Sequence, residues 1–410
     1  MTDAIKARDA RDVEQAVQWA LAEGKTLELI GAGSKRAIGR PSQTDVSLDL
    51  SRLCGISLYE PEELVLSARA GTSLAEIEAL VASKGQQLAF EPMDCGPILG
   101  RSSAGATLGG TLATNLSGPR RIKAGAARDH FLGFTAVSGR GESFKSGGRV
   151  VKNVTGYDLC KLIAGSWGTL AAMTEVTIKT LPAPETQETL LLRGLAPQKA
   201  IAAMTAAMAS DCDVSGAAHL PAGLAARVGV REIAGAADAV TALRVEGFAP
   251  SVAHRLHSLE TLLKSFGESA RADPGISRAL WRAIRDVAPF ASSGEVAQRP
   301  LWRISTVASR GAELAAAVAK ELDSEVLFDW SGGLLWLCVG ETDDAGAAVI
   351  GRAVAAVGGH ATLMRAPSAV RAAVAVFSPQ DPVLAALTRR VKEGFDPKRV
   401  LNPGRMWAGL

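Results

Sequence analysis

The chain has 410 residues, 47% apolar, 21% charged and 5% aromatic, with 45 basic against 42 acidic side chains for a net charge of +3. That apolar fraction can bury a large core and excludes disorder. The balanced charge excludes a strongly basic nucleic-acid binder and an acidic solvating tail, and gives no support for a charge-held membrane contact.

In chain order, Val13, Ala16, Val17, Ala20 and Leu21 stand at helical spacing, with Gly24 after them as a natural stop. Residues 26–30 read as a buried strand running into the loop Gly31-Ala32-Gly33-Ser34-Lys35-Arg36-Ala37-Ile38-Gly39-Arg40-Pro41. Strands are expected at 46–50 and 64–69. A helix over 74–84 follows, with Thr72 or Ser73 as N-cap, Glu76 in its first turn and Gly85 after it. A second glycine-rich zone spans 94–118, and the basic loop Arg120-Arg121-Ile122-Lys123 follows. Strands at 131–137 and 141–145 flank Ser138-Gly139-Arg140, a hairpin turn. Then come Lys152-Asn153-Val154-Thr155-Gly156-Tyr157-Asp158-Leu159, a short helix through Ile163, and Gly165-Ser166-Trp167-Gly168-Thr169. A strand at 174–180 ends at Leu181-Pro182-Ala183-Pro184, the expected domain boundary.

Beyond it, strands and helices alternate: strand 301–306, helix 312–322, strands 325–330 and 334–339 joined through Ser331-Gly332-Gly333, helix 345–357 and strand 360–364. This order is βαββαβ, the ferredoxin-like unit. Residues 189–193, 197–209 and 224–230 read as a degenerate first copy. A helix over 382–395 leads into the tail Phe395-Asp396-Pro397 to Asn402-Pro403-Gly404-Arg405.

Residues 1–12 are charged and hold no apolar run, so no signal peptide is expected. The most apolar later stretches, 200–209 and 334–339, fall short of the ~20 residues of a membrane span. Cys54, Cys95, Cys160, Cys212 and Cys338 are scattered without a CxxC pair. They offer no ligand set for a zinc ribbon or an iron–sulfur cluster, and read as reduced thiols of a cytoplasmic protein.

The glycine loops carry the functional signal. In residues 31–39, glycines permit positive φ and let backbone amides converge on phosphate oxygens, with Ser34 and Lys35 adding a hydroxyl and a positive charge. The Rossmann fingerprint fails, because Arg36 stands where its third glycine belongs. The P-loop spacing fails because Ser34 separates Gly33 from Lys35. The loop therefore reads as a phosphate nest without a helix, or as a tight turn. In the second zone, residues 105–118 are almost free of bulky polar side chains, so a flat ligand could lie against the backbone near Thr107, Thr111, Thr114 and Asn115. Three such loops over about 140 residues suggest a dinucleotide crossing one domain.

These segments resemble the FAD motifs of the flavoproteins related to vanillyl-alcohol oxidase and p-cresol methylhydroxylase (PCMH). Gly31 to Lys35 is similar to the first loop, Ala106 to Asn115 to the second motif, Lys152 to Leu159 through Gly168-Thr169-Leu170 to the third, and the 395–404 tail to the C-terminal return. Asn115-Leu116-Ser117-Gly118-Pro119-Arg120-Arg121 and Leu88-Ala89-Phe90-Glu91-Pro92 further resemble the FAD-binding E subunits of bacterial glycolate oxidases, which are three-subunit enzymes. The resemblance implies an α+β chain: a two-subdomain PCMH-type FAD-binding domain over 1–182, a cap with ferredoxin-like elements over 185–390, and a segment over 391–410 that returns to the FAD domain. It implies that Gly31, Ala32, Gly33, Ser34, Lys35 and Arg36 hold the pyrophosphate. Gly109, Gly110, Thr114, Asn115 and Gly118 would line the cofactor with Asp94, while Tyr157, Gly165 and Gly168 match the third motif and Asn402 the tail.

Residues 31–40 contain no His to link a flavin covalently, so FAD is expected to be non-covalent. The clustered His–acid metal motif of relatives that oxidise 2-hydroxy acids is absent too, and no metal site is expected. His254 and His257, at i and i+3, read as a half-exposed helix face, and His130 as a loop histidine. Arg120, Arg121 and Lys123 read either as steering an anion or as a solvated basic loop, and Trp330 and Trp336 as packing of the cap sheet. Two functions remain open. One is a subunit that passes the α-hydride of glycolate to FAD and electrons to an iron–sulfur partner, reaching the membrane only through the complex. The other is a FAD-holding assembly or relay subunit, with the chemistry in a homologous FAD partner.

Overall fold

The computed structural model describes residues 4–41, 43–101, 105–149, 156–235, 238–291 and 296–410. The Lys152 to Thr155 half of the third motif lies outside them.

The opening helix α1, Ala10–Glu23, starts where the Asp9 carboxylate accepts the Asp12 N–H and stops at Gly24, whose φ of 62° reverses the chain. It covers a parallel sheet of β1 (Ala4–Lys6), β2 (Leu27–Ile30) and β3 (Val46–Asp49), in the order β1-β3-β2. A second sheet is antiparallel: β4 (Ile56–Glu60), β5 (Val65–Arg69), β6 (Phe131–Ser138), β7 (Ser143–Gly147) and β8 (Ala171–Lys179), ordered β4-β5-β8-β6-β7. The hairpin forms about residues 138–142 as expected, with β7 beginning two residues late.

Helix α2, Leu74–Ala82, begins after Ser73, but neither expected side chain caps it. The Thr72 hydroxyl instead bonds the carbonyls of Gly55 and Arg69, tying two loops together. The second glycine zone also departs from an open loop. Gly109 and Gly110 sit inside a short helix, α3 (Leu108–Thr114), where Thr107 accepts the Gly110 N–H and Asn115 ends the helix in the left-handed region.

The cap sheet has eight antiparallel strands: β9 (Thr186–Arg193), β10 (Gly216–Leu220), β11 (Val240–Gly247), β12 (Ser269–Ala272), β13 (Leu301–Ser305), β14 (Ser324–Asp329), β15 (Leu334–Val339) and β16 (His360–Arg365). Their order, β12-β9-β11-β10-β14-β15-β13-β16, is two ferredoxin-like units meeting at β10 and β14. The first copy is therefore complete, but residues 224–230 are not its strand. Ala222–Ala226 is a short helix, and β10 lies upstream.

Four helices cover one face of this sheet: α4 (Pro197–Met208), α5 (Ala249–Leu263), α6 (Gly311–Ala319) and α7 (Ala347–Val357). The other face lies partly on the N-terminal half of the chain. The split follows strand periodicity: Leu335 and Leu337 face the helices, while Leu334, Trp336 and Cys338 face a cluster with Ile38, Met93, Ile98 and Leu116.

Polar groups weld the same joint. Glu91, held at a φ of 48°, receives Arg244 at 2.8 Å and Arg120 at 3.2 Å, and Arg120 also reaches Glu246 at 2.7 Å. Arg120 is thus buried, and neither solvated nor free to steer an anion. Burial alone would push the Glu246 carboxyl up, but Arg244 and Arg120 more than offset it and hold it at about 2. His130, read as a loop residue, is fully buried against Phe90, with Nε2 bonded to the Ala124 carbonyl.

After the last helix, α8 (Pro382–Phe395), the tail returns to the first sheet. The Leu27 N–H donates to the Val400 carbonyl and the Asn402 N–H to the Leu27 carbonyl. Buried Asp396 makes that turn possible. Its carboxylate accepts the N–H groups of Val400 and Leu401 and pairs with Lys392 at 2.6 Å.

Candidate cofactor cleft and adjoining cavity

A cleft of about 120 Å³ opens where β2 ends, between the first loop, α3 and the tail. The N–H groups of Ala32, Gly33, Ser34 and Lys35 make no hydrogen bond with any described residue. Four successive free donors on a loop whose Gly33 takes a φ of 74° form an anion nest. Lys35 adds a buried ammonium that lines the cleft without an ion pair among the described residues. Burial pushes its pKa down, and the charges of Cys95 and Asp94 only partly offset this. A buried cation that is only partly compensated, beside free amides, is a donor set suited to an anion.

Arg36 lines the same cleft, but its guanidinium is clamped on Glu28 at 2.9 and 2.5 Å. Arg405 supports the loop from behind, donating to the carbonyls of Lys35 and Arg36 at 3.0 and 3.2 Å. Its burial brings its pKa down to about 10.

The opposite wall is α3. A Cβ on Gly109 would stand 2.8 Å from the Ala70 Cβ and 2.9 Å from its carbonyl oxygen, so only glycine lets the helix approach β5 this closely. A Cβ on Gly110 would meet only Thr107 Oγ1, at 3.1 Å. Gly110 leaves the cleft wall bare. Gly168 and Asn402 close the far side: the Asn402 side chain accepts from the Leu29 N–H and donates to the Trp167 carbonyl, both at 2.8 Å.

Thr114 and Trp167 belong both to this cleft and to a larger cavity of about 550 Å³ beneath the cap. Asn115, Trp167, Trp330 and Asn402, which border the two spaces, all hold positive φ without being glycine. Such strained backbone persists where the surroundings over-determine it, commonly at binding sites.

Inside the cavity, Arg121 from the N-terminal half and Arg303 from β13 approach the Trp330 ring, at 4.3 and 5.0 Å from its centroid. The Trp330 Nε1 donates to the Gly118 carbonyl, which fixes the ring across the joint. Neither arginine has an ion-pair partner among the described residues. Burial lowers the pKa of both, Arg303 to about 10, and each is lowered further by a neighbouring cation. His360 is the histidine that lines this cavity among the described residues. Burial, then Arg303 and Arg121, push its imidazole below the usual value.

Residues 4–147 match the family model described as "FAD binding domain". The glycolate oxidase subunit GlcE of Escherichia coli (strain K12) is 33% identical over 97% of this chain and 97% of its own length. The glycolate oxidase subunit GlcD of Bacillus subtilis (strain 168) is 25% identical, covering 92% of this chain and 83% of its own. Among solved structures, the 4-ethylphenol oxidase of Gulosibacter chungangensis superposes with a TM-score of 0.74 at 14% identity, covering 99% of this chain and 89% of that one. A p-cresol methylhydroxylase superposes with a TM-score of 0.71 at 14% identity, covering 99% and 88%.

The chain belongs to the glycolate oxidase E-subunit family. It is a FAD-dependent oxidoreductase of PCMH-type fold, and the nest, buried ammonium and bare α3 wall suit the pyrophosphate and flat rings of that cofactor.

Of the residues singled out from sequence, Gly31 to Arg36, Gly109, Gly110, Thr114, Gly168 and Asn402 come together on the cleft. Asn115 and Gly165 line the cavity instead. Gly118 stands at the joint, where a Cβ would meet Glu91. Asp94 lies behind Lys35, its carboxylate accepting the Gly96 N–H. Tyr157 is 90% exposed. The His254–His257 pair lies on α5, where exposed His257 stands 3.7 Å from Glu260. Sequence reasoning missed Arg303, His360 and Arg405, and assigned Trp330 to sheet packing alone. Only the position of Arg405 directly after the Asn402-Pro403-Gly404 motif could have flagged it.

Proposed function

We propose that the chain is the non-covalent FAD subunit of a complex that oxidises a short 2-hydroxy acid, glycolate, to its 2-oxo acid, with a homologous FAD subunit and an iron–sulfur subunit as partners. The reading divides the chain at 182–185 and at 390, with the 391–410 tail serving the FAD domain. The two guanidiniums over Trp330, without ion-pair partners among the described residues and in a cavity that shares Thr114 and Trp167 with the cleft, carry it.

Bound FAD supplies the acceptor for the α-carbon hydride. The nest of 32–35 and Lys35 hold the pyrophosphate, and Gly110 and Thr114 flank it. Arg303 and Arg121 bind the substrate carboxylate, whose charge offsets the repulsion between the two neighbouring cations. Trp330 fixes the two planes and so the angle at which the α-carbon is presented. His360, kept neutral, takes the hydroxyl proton as the hydride leaves, which balances the conversion of glycolate to glyoxylate. The four side chains come from four segments, three in the cap and one in the FAD domain, so closing the cap on the FAD domain is what completes the site.

The alternative is a relay or assembly role, with catalysis in the homologous subunit. It is favoured by the exposure of His360, the one cavity histidine among the described residues. Anaerobic mixing of the FAD-loaded chain with glycolate, alone and then with the two partners, separates these readings. Partner-dependent flavin bleaching that is lost in Arg303→Met supports the proposal. Bleaching unaffected by Arg303→Met would transfer the chemistry to the partner.

A further inference from the structure

The loop that bears the anion nest is gripped from behind by two other segments. From the tail, Arg405 donates to the Lys35 and Arg36 carbonyls, and its own carbonyl accepts the Arg40 N–H at 3.0 Å. The second grip comes from the cap. Strand β16 ends at Arg365, and a short helix, Ser368–Ala373, follows it. From this helix Arg371 donates to the Gly39 carbonyl at 2.7 Å, and Arg40 donates in return to the Ala372 and Val374 carbonyls at 3.2 and 3.3 Å. Carbonyls at a helix C-terminus have no partner within the helix, so Arg40 supplies what this helix lacks. Gly39 makes the close passage possible: it holds a φ of 85°, and a Cβ there would stand 2.9 Å from Arg405 Nε.

The far side of this clamp is cavity wall. Beyond the short helix the chain turns back along β16, where the Leu363 N–H donates to the Val376 carbonyl and the Ser378 N–H to the Ala361 carbonyl. His360, Thr362, Phe377 and Ser378 of these two runs line the cavity. A continuous path of hydrogen bonds thus joins the nest loop to the wall that carries His360. The path is also electrostatically loaded. Lys35, Arg371 and Arg405 are each less than a tenth exposed, and none has an ion-pair partner among the described residues. Burial, opposed by Glu28 and reinforced by Arg371 and Arg36, brings the Arg405 guanidinium down to about 10, so the cations of cap and tail repel across the seam. Glu28 is already paired with Arg36. A dianion in the nest supplies the missing countercharge and favours a closed seam over an open one.

We infer that Arg40 and Arg371 are positioning residues, which couple occupancy of the pyrophosphate nest to the setting of the cavity wall that carries His360. The inference rests on the pyrophosphate placement proposed above. It adds that the phosphates of the cofactor, apart from its ring, help to set the substrate side of the site.

The test compares FAD with ADP, which brings a pyrophosphate and no flavin ring, on the full apoprotein. Hydrogen exchange over residues 361–378 is followed at saturating ligand, with β12, at the opposite edge of the cap sheet, as the control for global stabilisation. In the wild type ADP should slow exchange over 361–378 by ~5-fold or more and leave β12 unchanged. Because coupling is reciprocal, Arg40→Met and Arg371→Met should each bind ADP and FAD ~5-fold or more weakly, and lose most of that protection at saturation. Should Arg371→Met misfold, Arg40→Met, on a half-buried side chain, still decides. Protection by ADP that persists in the folded variants overturns the role of the arginines. Ligand that binds without slowing exchange overturns the coupling, as does protection by FAD with none from ADP, which gives the effect to the ring. Equal protection of β12 overturns it too. A wild-type chain that binds neither ligand overturns the pyrophosphate placement itself, and this inference with it.

Discussion

Gly109 and Gly110 are adjacent in α3, yet the structure separates their roles, and alanine at each should show it. In Gly109→Ala the new Cβ meets Ala70 at 2.8 Å and backbone atoms at 2.9 and 3.2 Å, none of which belongs to a flexible side chain. Helix α3 must retreat by about half an ångström, an overpacking cost of roughly 1–3 kcal/mol. Because Gly110 and Thr114 move with it, FAD should bind ~5- to 150-fold more weakly, and the apoprotein should melt earlier. In Gly110→Ala the only contact is Thr107 Oγ1 at 3.1 Å, a side chain that can give. Alanine also favours the helix by roughly 1 kcal/mol, so the apoprotein should melt no earlier than wild type. Its Cβ nevertheless stands on the cleft wall, so FAD affinity should fall tenfold or more. Titration of the apoproteins with FAD by flavin fluorescence, alongside thermal melts without FAD, reads both quantities. A Gly110→Ala protein that binds FAD like the wild type would refute the claim that the cofactor lies against α3. An unshifted melt in Gly109→Ala would refute the packing argument.

Further outcomes concern the cavity, the joint and the flavin. Arg303→Met should raise KM for the 2-hydroxy acid tenfold or more with flavin content unchanged, while His360→Gln should lower kcat and remove the acidic limb of the pH profile, which in wild type falls below the ordinary histidine range because protonation disables the base. Glu91→Gln should destabilise the joint by ~3–5 kcal/mol, since it leaves buried Arg244 and Arg120 under-compensated, and Arg120→Ala should likewise be a stability mutant, both read by denaturant melts. The pull of the arginines on Glu246 contributes stability that is full above the unfolded carboxylate pKa and is lost as pH falls through about 2, so joint opening, followed by Trp330 fluorescence, should accompany strong acid rather than pH 5. Acid precipitation should leave the flavin in the supernatant; colour in the pellet would refute non-covalent binding.

Much of the cleft was legible because it is local. A nest is written by consecutive residues: Gly33 at positive φ and free amides from Ala32 to Lys35 need nothing beyond their own loop. The first helix was equally readable, since Val13, Ala16, Val17 and Ala20 repeat at 3.6 residues and Gly24 stops them. Strands β13 to β16 were legible from their hairpin and alternation. Misreadings arose where a residue's use depends on distant neighbours. Thr72 looks like a cap but spends its hydroxyl on Gly55 and Arg69, and residues 224–230 carry a strand's apolar content inside an excursion between β10 and β11.

The chain's own sequence thus pointed to a dinucleotide and to the loops proposed to hold it, because phosphate is bound by backbone that short-range chemistry shapes. Tertiary structure alone brought together the residues proposed to meet substrate. Arg121, Arg303, Trp330 and His360 span 240 residues of chain, and no periodicity distinguishes them from the other arginines and aromatics of the sequence. They come together only when the cap sheet packs on the FAD-binding domain through the Glu91–Arg244 joint, which sets half-buried Arg303 beside exposed Arg121 with no ion-pair partner for either among the described residues. Which charges and rings stand side by side is a property of the fold, because contacts between residues so far apart in the chain exist only once the two halves pack.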